Sequence, residues 1–355
     1  WLAIRNKLDS FKTPQALEDL IIRQDYNAVV PFSFAVADIA IESPQKPRAV
    51  WKVDKEFLNN PENTSATQLQ DRLACPLKWV LNYQAKLRPS PIADLPDSYR
   101  LKGNFCHSVL ELVFGQRQVL PSVDEAVNEV SRVFDERLPL DAAPLAQTSK
   151  LLESQRLKTD LIRATHTFVS ALSAGGYQIV GIEVEVSNQA FGSALKGWID
   201  CVAARSDGTE LIVDFKYSGR KKYPELLRQG KAVQLATYAY ARSKNGKAFP
   251  AVAYLVLTDA QLFTPSGSPV KGDGSSNVID APAISAVWEQ FSVAIQAADS
   301  WLISGGSIPA RPLQDPSMWP AGTTIMLKET LEKNECQDVC LYCHYSRLCG
   351  LEETR

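Results

Sequence analysis

Apolar and polar positions change period twice along this chain, and those changes divide it. Across residues 1–63 short helical and extended patterns alternate, broken by Pro44, Pro47 and the Asn59-Asn-Pro61 run. No site is recognisable there, and the stretch reads as a linker or the edge of a preceding domain. Ser65 opens the first clear helix with the capping-box sequence Ser65-Ala-Thr-Gln68. Leu69, Leu73, Leu77, Val80 and Leu81 extend it as an apolar stripe, with Cys75-Pro76 inside it. A second stripe, Leu101, Phe105, Val109, Leu112 and Val113, predicts a helix over 98–118 and puts His107 and Glu111 on one face. A long helical region follows and stops at Gly175 and Gly176.

Past those glycines the period falls to two. Val- and Ile-rich extended runs cover 177–186, 193–204, 210–217 and 251–258, with a helix over 226–243 between the last two. Helix, three strands, helix, strand is the order of an α/β core. The Gly/Ser/Pro-rich stretch 265–277 reads as a mobile loop. A helix over 284–302, a Pro-rich connector and a cysteine-dense tail complete the chain.

Composition narrows the function classes. With 355 residues, 45% hydrophobic and 22% charged, the chain suits a soluble globular protein with a sizeable core. No apolar run spans a bilayer and no signal peptide opens the chain, so the cytoplasm is the default compartment. The start at Trp1 suggests a module excised from a longer polypeptide. A net charge of −2 argues against coating nucleic acid by bulk electrostatics, so any such contact is local. The basic run Arg220, Lys221, Lys222 is ordinarily a solvated loop. A phosphate-loop motif is absent, so the chain brings no ATP-driven motor of its own.

Two charges interrupt an otherwise apolar strand in Leu211-Ile-Val-Asp-Phe-Lys216. Period two puts Asp214 and Lys216 on one face and sends Val213 and Phe215 into the core. The preceding strand carries Asp200, and the short turn at Ser206-Asp-Gly208 makes the two strands antiparallel neighbours. Two carboxylates brought that close repel unless a cation sits between them, and oxygen ligands with open positions suit Mg²⁺. A bound Mg²⁺ can activate water and steady charge on a phosphate, with Lys216 orienting or deprotonating the attacking water or stabilising the developing charge. Taken alone, Asp214 and Lys216 could equally be a surface pair, and a lone His107 is more often structural. Gln234 and Tyr238, four apart on the next helix, could be a polar face toward the site or a half-exposed one.

Together the motifs Gly103-Asn-Phe-Cys-His107-Ser-Val-Leu-Glu111, Gly197-Trp-Ile-Asp200, Ile212-Val-Asp214-Phe-Lys216 and Gln234-Leu-Ala-Thr-Tyr238 resemble the nuclease domain of the RecB/AddB family. The resemblance covers about 64–350 and implies a restriction-endonuclease-like core in a nuclease domain over 64–355. It implies that His107, Asp200, Asp214 and the Phe215 carbonyl hold Mg²⁺ or Mn²⁺ and that Lys216 assists hydrolysis. Gln234 and Tyr238 then form the helix motif beside the site. The implied activity is cleavage of single-stranded DNA, often from an end, beside a helicase domain or subunit in repair, recombination or defence. An iron-sulfur nuclease of CRISPR adaptation and a catalytically silent DNA-binding scaffold are the rival readings.

Cysteines point the same way. Of seven, Cys336, Cys340, Cys343 and Cys349 crowd the tail, as metal or cluster ligands do rather than a disulfide framework. The spacing C-x2-C-x5-C is open between zinc and an iron-sulfur cluster, with Cys336 a conceivable fourth ligand. The AddB-like branch pairs one upstream cysteine with three at this spacing. That resemblance assigns Cys75, Cys340, Cys343 and Cys349 to a [4Fe-4S] staple at the C-terminus and leaves Cys336 a bystander. Cys106 and Cys201 read as small buried hydrophobes.

Overall fold

The computed structural model describes residues 50–87, 98–115, 117, 119–243, 248–268, 270, 276–302, 306–310, 340 and 343–350. Residues 1–49, residues 244–247 and the Pro-rich connector at 311–339, which includes Cys336, lie outside them. All described residues belong to one compact unit, Arg48–Arg355.

In chain order the strands are β1 (Val50–Val53), β2 (Asn63–Thr64), β3 (Gln178–Ala190), β4 (Ser193–Ala204), β5 (Glu210–Lys216), β6 (Ala251–Val256), β7 (Gln261–Pro265), β8 (Ser276–Ile279) and β9 (Gly306–Pro309). The helices are α1 (Ala66–Ala74), α2 (Pro76–Trp79), α3 (Ser98–Phe114), α4 (Val123–Asp141), α5 (Leu151–Gly175), α6 (Lys222–Arg228), α7 (Val233–Arg242), α8 (Ile284–Leu302) and α9 (Ser346–Cys349). β1 and β9 pair antiparallel on their own, and the central sheet runs β2-β4-β5-β6-β7-β8 with β3 along β4.

The expected order of helix, three strands, helix, strand appears as α3 to α5, β3, β4, β5, α6 and α7, then β6. β5 and β6 are parallel because the helical crossover returns the chain in the same direction. Side chains alternate as period two requires. Leu211, Val213 and Phe215 enter a core under α3, α4 and α5, with Phe105, Phe134 and Phe168. Ile212 enters a second core under α1, α2, α7 and α8, with Leu69, Trp79, Leu235 and Ile295.

Several expected elements are divided in ways local chemistry explains. The helix read through Cys75-Pro76 breaks there: Cys75 sits at φ −155° and ψ 89°, because the ring of a following proline disfavours the helical conformation. Of the capping box, Ser65 Oγ accepts from the Gln68 amide, while Gln68 Oε1 is buried without a hydrogen bond. The single helix expected over 226–243 is α6 and α7, separated at Gly230, which takes the left-handed φ of 66°. The long helical region divides into α4 and α5, and α5 ends on Gly176 at φ 71°, as the glycine signal implies. The stretch read as a loop over 265–277 contributes a strand instead, since Ser276–Ile279 pairs with β7.

Candidate active site

β3 occupies one edge of β4 along its length, so β2 and β5 must share the other. β5 pairs with Cys201–Ala204, β2 pairs with Ala194–Leu195, and residues 196–200 between them have no partner on that edge. The last β4–β5 pair is Cys201 with Val213, so the next residues outward, Asp200 and Asp214, face a gap where the strands part. α3 reaches this gap from one side of the sheet and α7 from the other.

Every site residue expected on these elements arrives there. Asp200 Oδ2 accepts from the Phe215 amide at 2.5 Å. Lys216 Nζ lies 2.6 Å from Asp214 Oδ2, with Asp214 only 1% exposed, and donates to Gln234 Oε1 at 3.0 Å. Gln234 Nε2 in turn donates to the Tyr238 hydroxyl at 3.2 Å. The helical repeat of α7 therefore holds the lysine through a two-link chain. Gly197 makes room for it, because a Cβ there would stand 2.8 Å from Tyr238 Cε1.

His107 Nε2 is 3.0 Å from the Phe215 carbonyl, so that nitrogen carries the proton. Its Nδ1 then faces Asp200 Oδ1 at 3.7 Å and Glu183 Oε1 at 4.0 Å. A bare lone pair aimed at two carboxylates is unfavourable, and the arrangement calls for a proton or a cation. The pKa values carry the same message. Burial pushes the imidazole of His107 down, but Glu183, Asp200 and Asp214 outweigh it and its pKa is raised. Burial and then the charge of Asp214 push Asp200 up to about 7, against the opposing pull of His107 and Lys216. Burial lowers the Lys216 ammonium, yet Asp214 and Tyr223 raise it overall, so it stays charged.

Sequence reading missed Glu183. It is a non-glycine residue at φ 50°, and it lies between the β3–β4 pairs Ile182–Cys201 and Val184–Ile199, at the level of Asp200. At this point both strands change the face they bury. Ile182 and Cys201 meet the core under α3, whereas Val184 and Ile199 meet the core under α7. The left-handed backbone turns Glu183 out of ordinary alternation and toward His107, at a cost of the order of 1–2 kcal/mol. The hairpin turns about Phe191-Gly192, both at positive φ, and that register brings Glu183 to the level of Asp200. Glu111, on the His107 face, stays exposed.

A sequence profile of the PD-(D/E)XK nuclease superfamily matches residues 63–350. The chain belongs to that superfamily. No curated protein matches it.

Membership makes the chain a nuclease of a metal-dependent class, and nucleic acid its substrate. The residues present fit a divalent cation. His107, Glu183 and Asp200 offer donor atoms within 4.8 Å of one another, and the raised Asp200 shows that its charge is poorly compensated by protein groups alone. No described helix is long and apolar enough to cross a membrane.

The expected cysteines lie on neighbouring parts of this PD-(D/E)XK domain. Cys75 is buried and its Sγ accepts from the Lys78 amide at 3.4 Å. Cys343 and Cys349 pack on the same core that contains Cys75. The Cys343 thiol is pushed up by burial first and also by Cys340 and Cys349, while the Tyr345 backbone and Lys78 oppose this. Tyr345 docks the tail through its hydroxyl, whose one proton lies between the Leu87 carbonyl and Asn82 Oδ1, the latter at 3.3 Å. Cys106 and Cys201 are both fully buried.

Proposed function

We propose that this protein is a RecB/AddB-like, single-strand-directed DNA exonuclease that uses Mg²⁺ or Mn²⁺ and works in the cytoplasm beside a helicase domain or subunit. The observation that carries the reading is the gap between β4 and β5, where His107, Glu183, Asp200 and the Phe215 carbonyl meet beside the Asp214–Lys216 pair. In this assignment His107, Asp200, Asp214 and the Phe215 carbonyl hold the cation, and Glu183 completes or adjusts the set. A divalent cation there supplies Lewis acidity toward the scissile phosphate and lowers the pKa of water. Lys216, charged and held by Gln234 and Asp214, positions the attacking water and balances charge developing on the phosphate. Tyr238 and Gln234 are positioning residues, since they act through the lysine.

The tail belongs to the same proposal. Cys75, Cys340, Cys343 and Cys349 are read as ligands of a [4Fe-4S] cluster that joins the segment before the nuclease core to the segment after it. Cys343 and Cys349 pack on the same core that contains Cys75, which supports a group shared between the upstream segment and the tail.

The deciding experiment compares end-labelled linear with circular single-stranded DNA in Mg²⁺. Linear strands should be degraded from an end and circles should survive. Circles cut as fast as linear strands would replace the exonuclease with an endonuclease, and cleavage of neither in Mg²⁺ or Mn²⁺ would leave only a DNA-binding scaffold.

A further inference from the structure

Among the described residues three aromatic side chains stand exposed: Phe57, Tyr99 and Trp198. Tyr99 already has partners, with the Tyr217 ring edge-on at 6.2 Å and Lys102 Nζ at 5.7 Å from its centroid. Trp198 is 57% exposed, and among the described residues no ring or cation packs on it. It lies two residues before Asp200, in the part of β4 that neither β5 nor β2 pairs along the open edge. Ile199 is buried in the core under α7 and α8, so alternation turns Trp198 to the opposite face, the side from which α3 delivers His107. The rest of that face is polar: Lys196 two residues back, with Glu185 and Ser187 across the ladder, all exposed.

A half-exposed indole on a polar strand face adds nothing to the core. Its value lies in what it offers a ligand beside the parted strands. A single nucleic-acid strand presents unstacked bases with π faces and an anionic backbone, whereas a duplex hides those faces. The carboxylate of Glu185 disfavours a phosphate on the β3 side, and Lys196 favours one along β4.

We infer that Trp198 is the platform on which a base next to the scissile phosphate stacks, which makes it a determinant of single-strand preference. The inference rests on the single-strand-directed reading above. The indole needs no other protein group to act, and its strand is fixed by β3.

The test measures binding of fluorescein-labelled oligothymidylate in Ca²⁺, together with a series in which one abasic site is walked along the strand. Trp198→Ala should weaken binding between about 5-fold and 100-fold, and Trp198→Phe should retain most of the affinity. One abasic position should cost the wild type a similar factor and cost Trp198→Ala nothing. In Mg²⁺ the loss should fall mainly on KM. Equal affinity of wild type and Trp198→Ala, or an abasic profile shared by both, overturns the inference and leaves the nuclease reading intact. A wild-type protein that neither binds nor cuts the oligonucleotide overturns the single-strand reading and this one with it.

Discussion

Asp200 and Asp214 share a buried gap, and what neutralises them governs both stability and activity. In metal-free protein the Asp200 pKa of about 7 exceeds its unfolded value of about 3.9. Between those values the folded state keeps a proton that the unfolded state has released, so stability falls as pH rises from about 4 to 7. The raised His107 adds stability that is full below its unfolded pKa and is lost as pH climbs through its folded one. In chelator, Asp200→Asn should therefore be more stable than wild type at pH 8, by up to a few kcal/mol, and the gap should close near pH 4. Calorimetry across that range reads the difference directly, and a gap that widens toward acid would contradict it. Divalent-ion affinity should change the opposite way, rising with pH as protons leave the ligands. Asp214→Ala differs in kind, because it strips Lys216 of a partner at 2.6 Å. It should abolish cleavage and also cost about 1–3 kcal/mol in denaturant unfolding. Mg²⁺ or Mn²⁺ should support cleavage, and Ca²⁺ at most binding, since the larger ion holds its ligands in looser geometry. These two aspartates and the lysine were legible because charges on an apolar strand are conspicuous. Glu183 was not, because a glutamate within Ile182-Glu-Val-Glu185 looks like ordinary alternation until its backbone turns over.

At the scale of elements, the site depends on β4 and α7 approaching closely, and Gly197 permits it. A methyl group at Gly197 would meet the Tyr238 ring at 2.8 Å, and that ring holds Gln234 against Lys216. Gly197→Ala should cost about 1–3 kcal/mol through overpacking and lower kcat by more than that loss of folded protein explains. Adding Tyr238→Leu should recover stability without recovering kcat, and recovery of both would reduce Tyr238 to a packing residue. The order and type of the central strands could be read from β-branched alternation, as could the stop at Gly176. The two-residue β2 and the late β8 could not, because their pairing comes from distant partners rather than from local pattern. Nor does any local signal say that β4 pairs only partly with β5, and that partial pairing creates the site.

At the scale of the molecule, segments flanking the core in sequence meet in space. β1 pairs with β9, and Tyr345 binds Asn82 and the Leu87 carbonyl. A cluster on Cys75 and the three tail cysteines would add a covalent closure over a loop of about 265 residues, removing more unfolded-chain entropy than a short loop would. Anaerobically purified protein should be brown, absorbing broadly at roughly 400 nm through thiolate-to-iron charge transfer. Cys75→Ala should bleach that colour, lower the melting temperature and open residues 340–350 to protease. Cys336→Ala, at a position outside the described residues, should do none of these. Tyr345→Phe separates docking from ligation: it removes the hydroxyl that bonds to the Leu87 carbonyl and Asn82, so the tail should loosen while the colour remains. A single zinc among four sulfurs, or a protein that needs Cys336 and tolerates loss of Cys75, would overturn the clamp. The tail would then be held by Tyr345 and apolar packing alone.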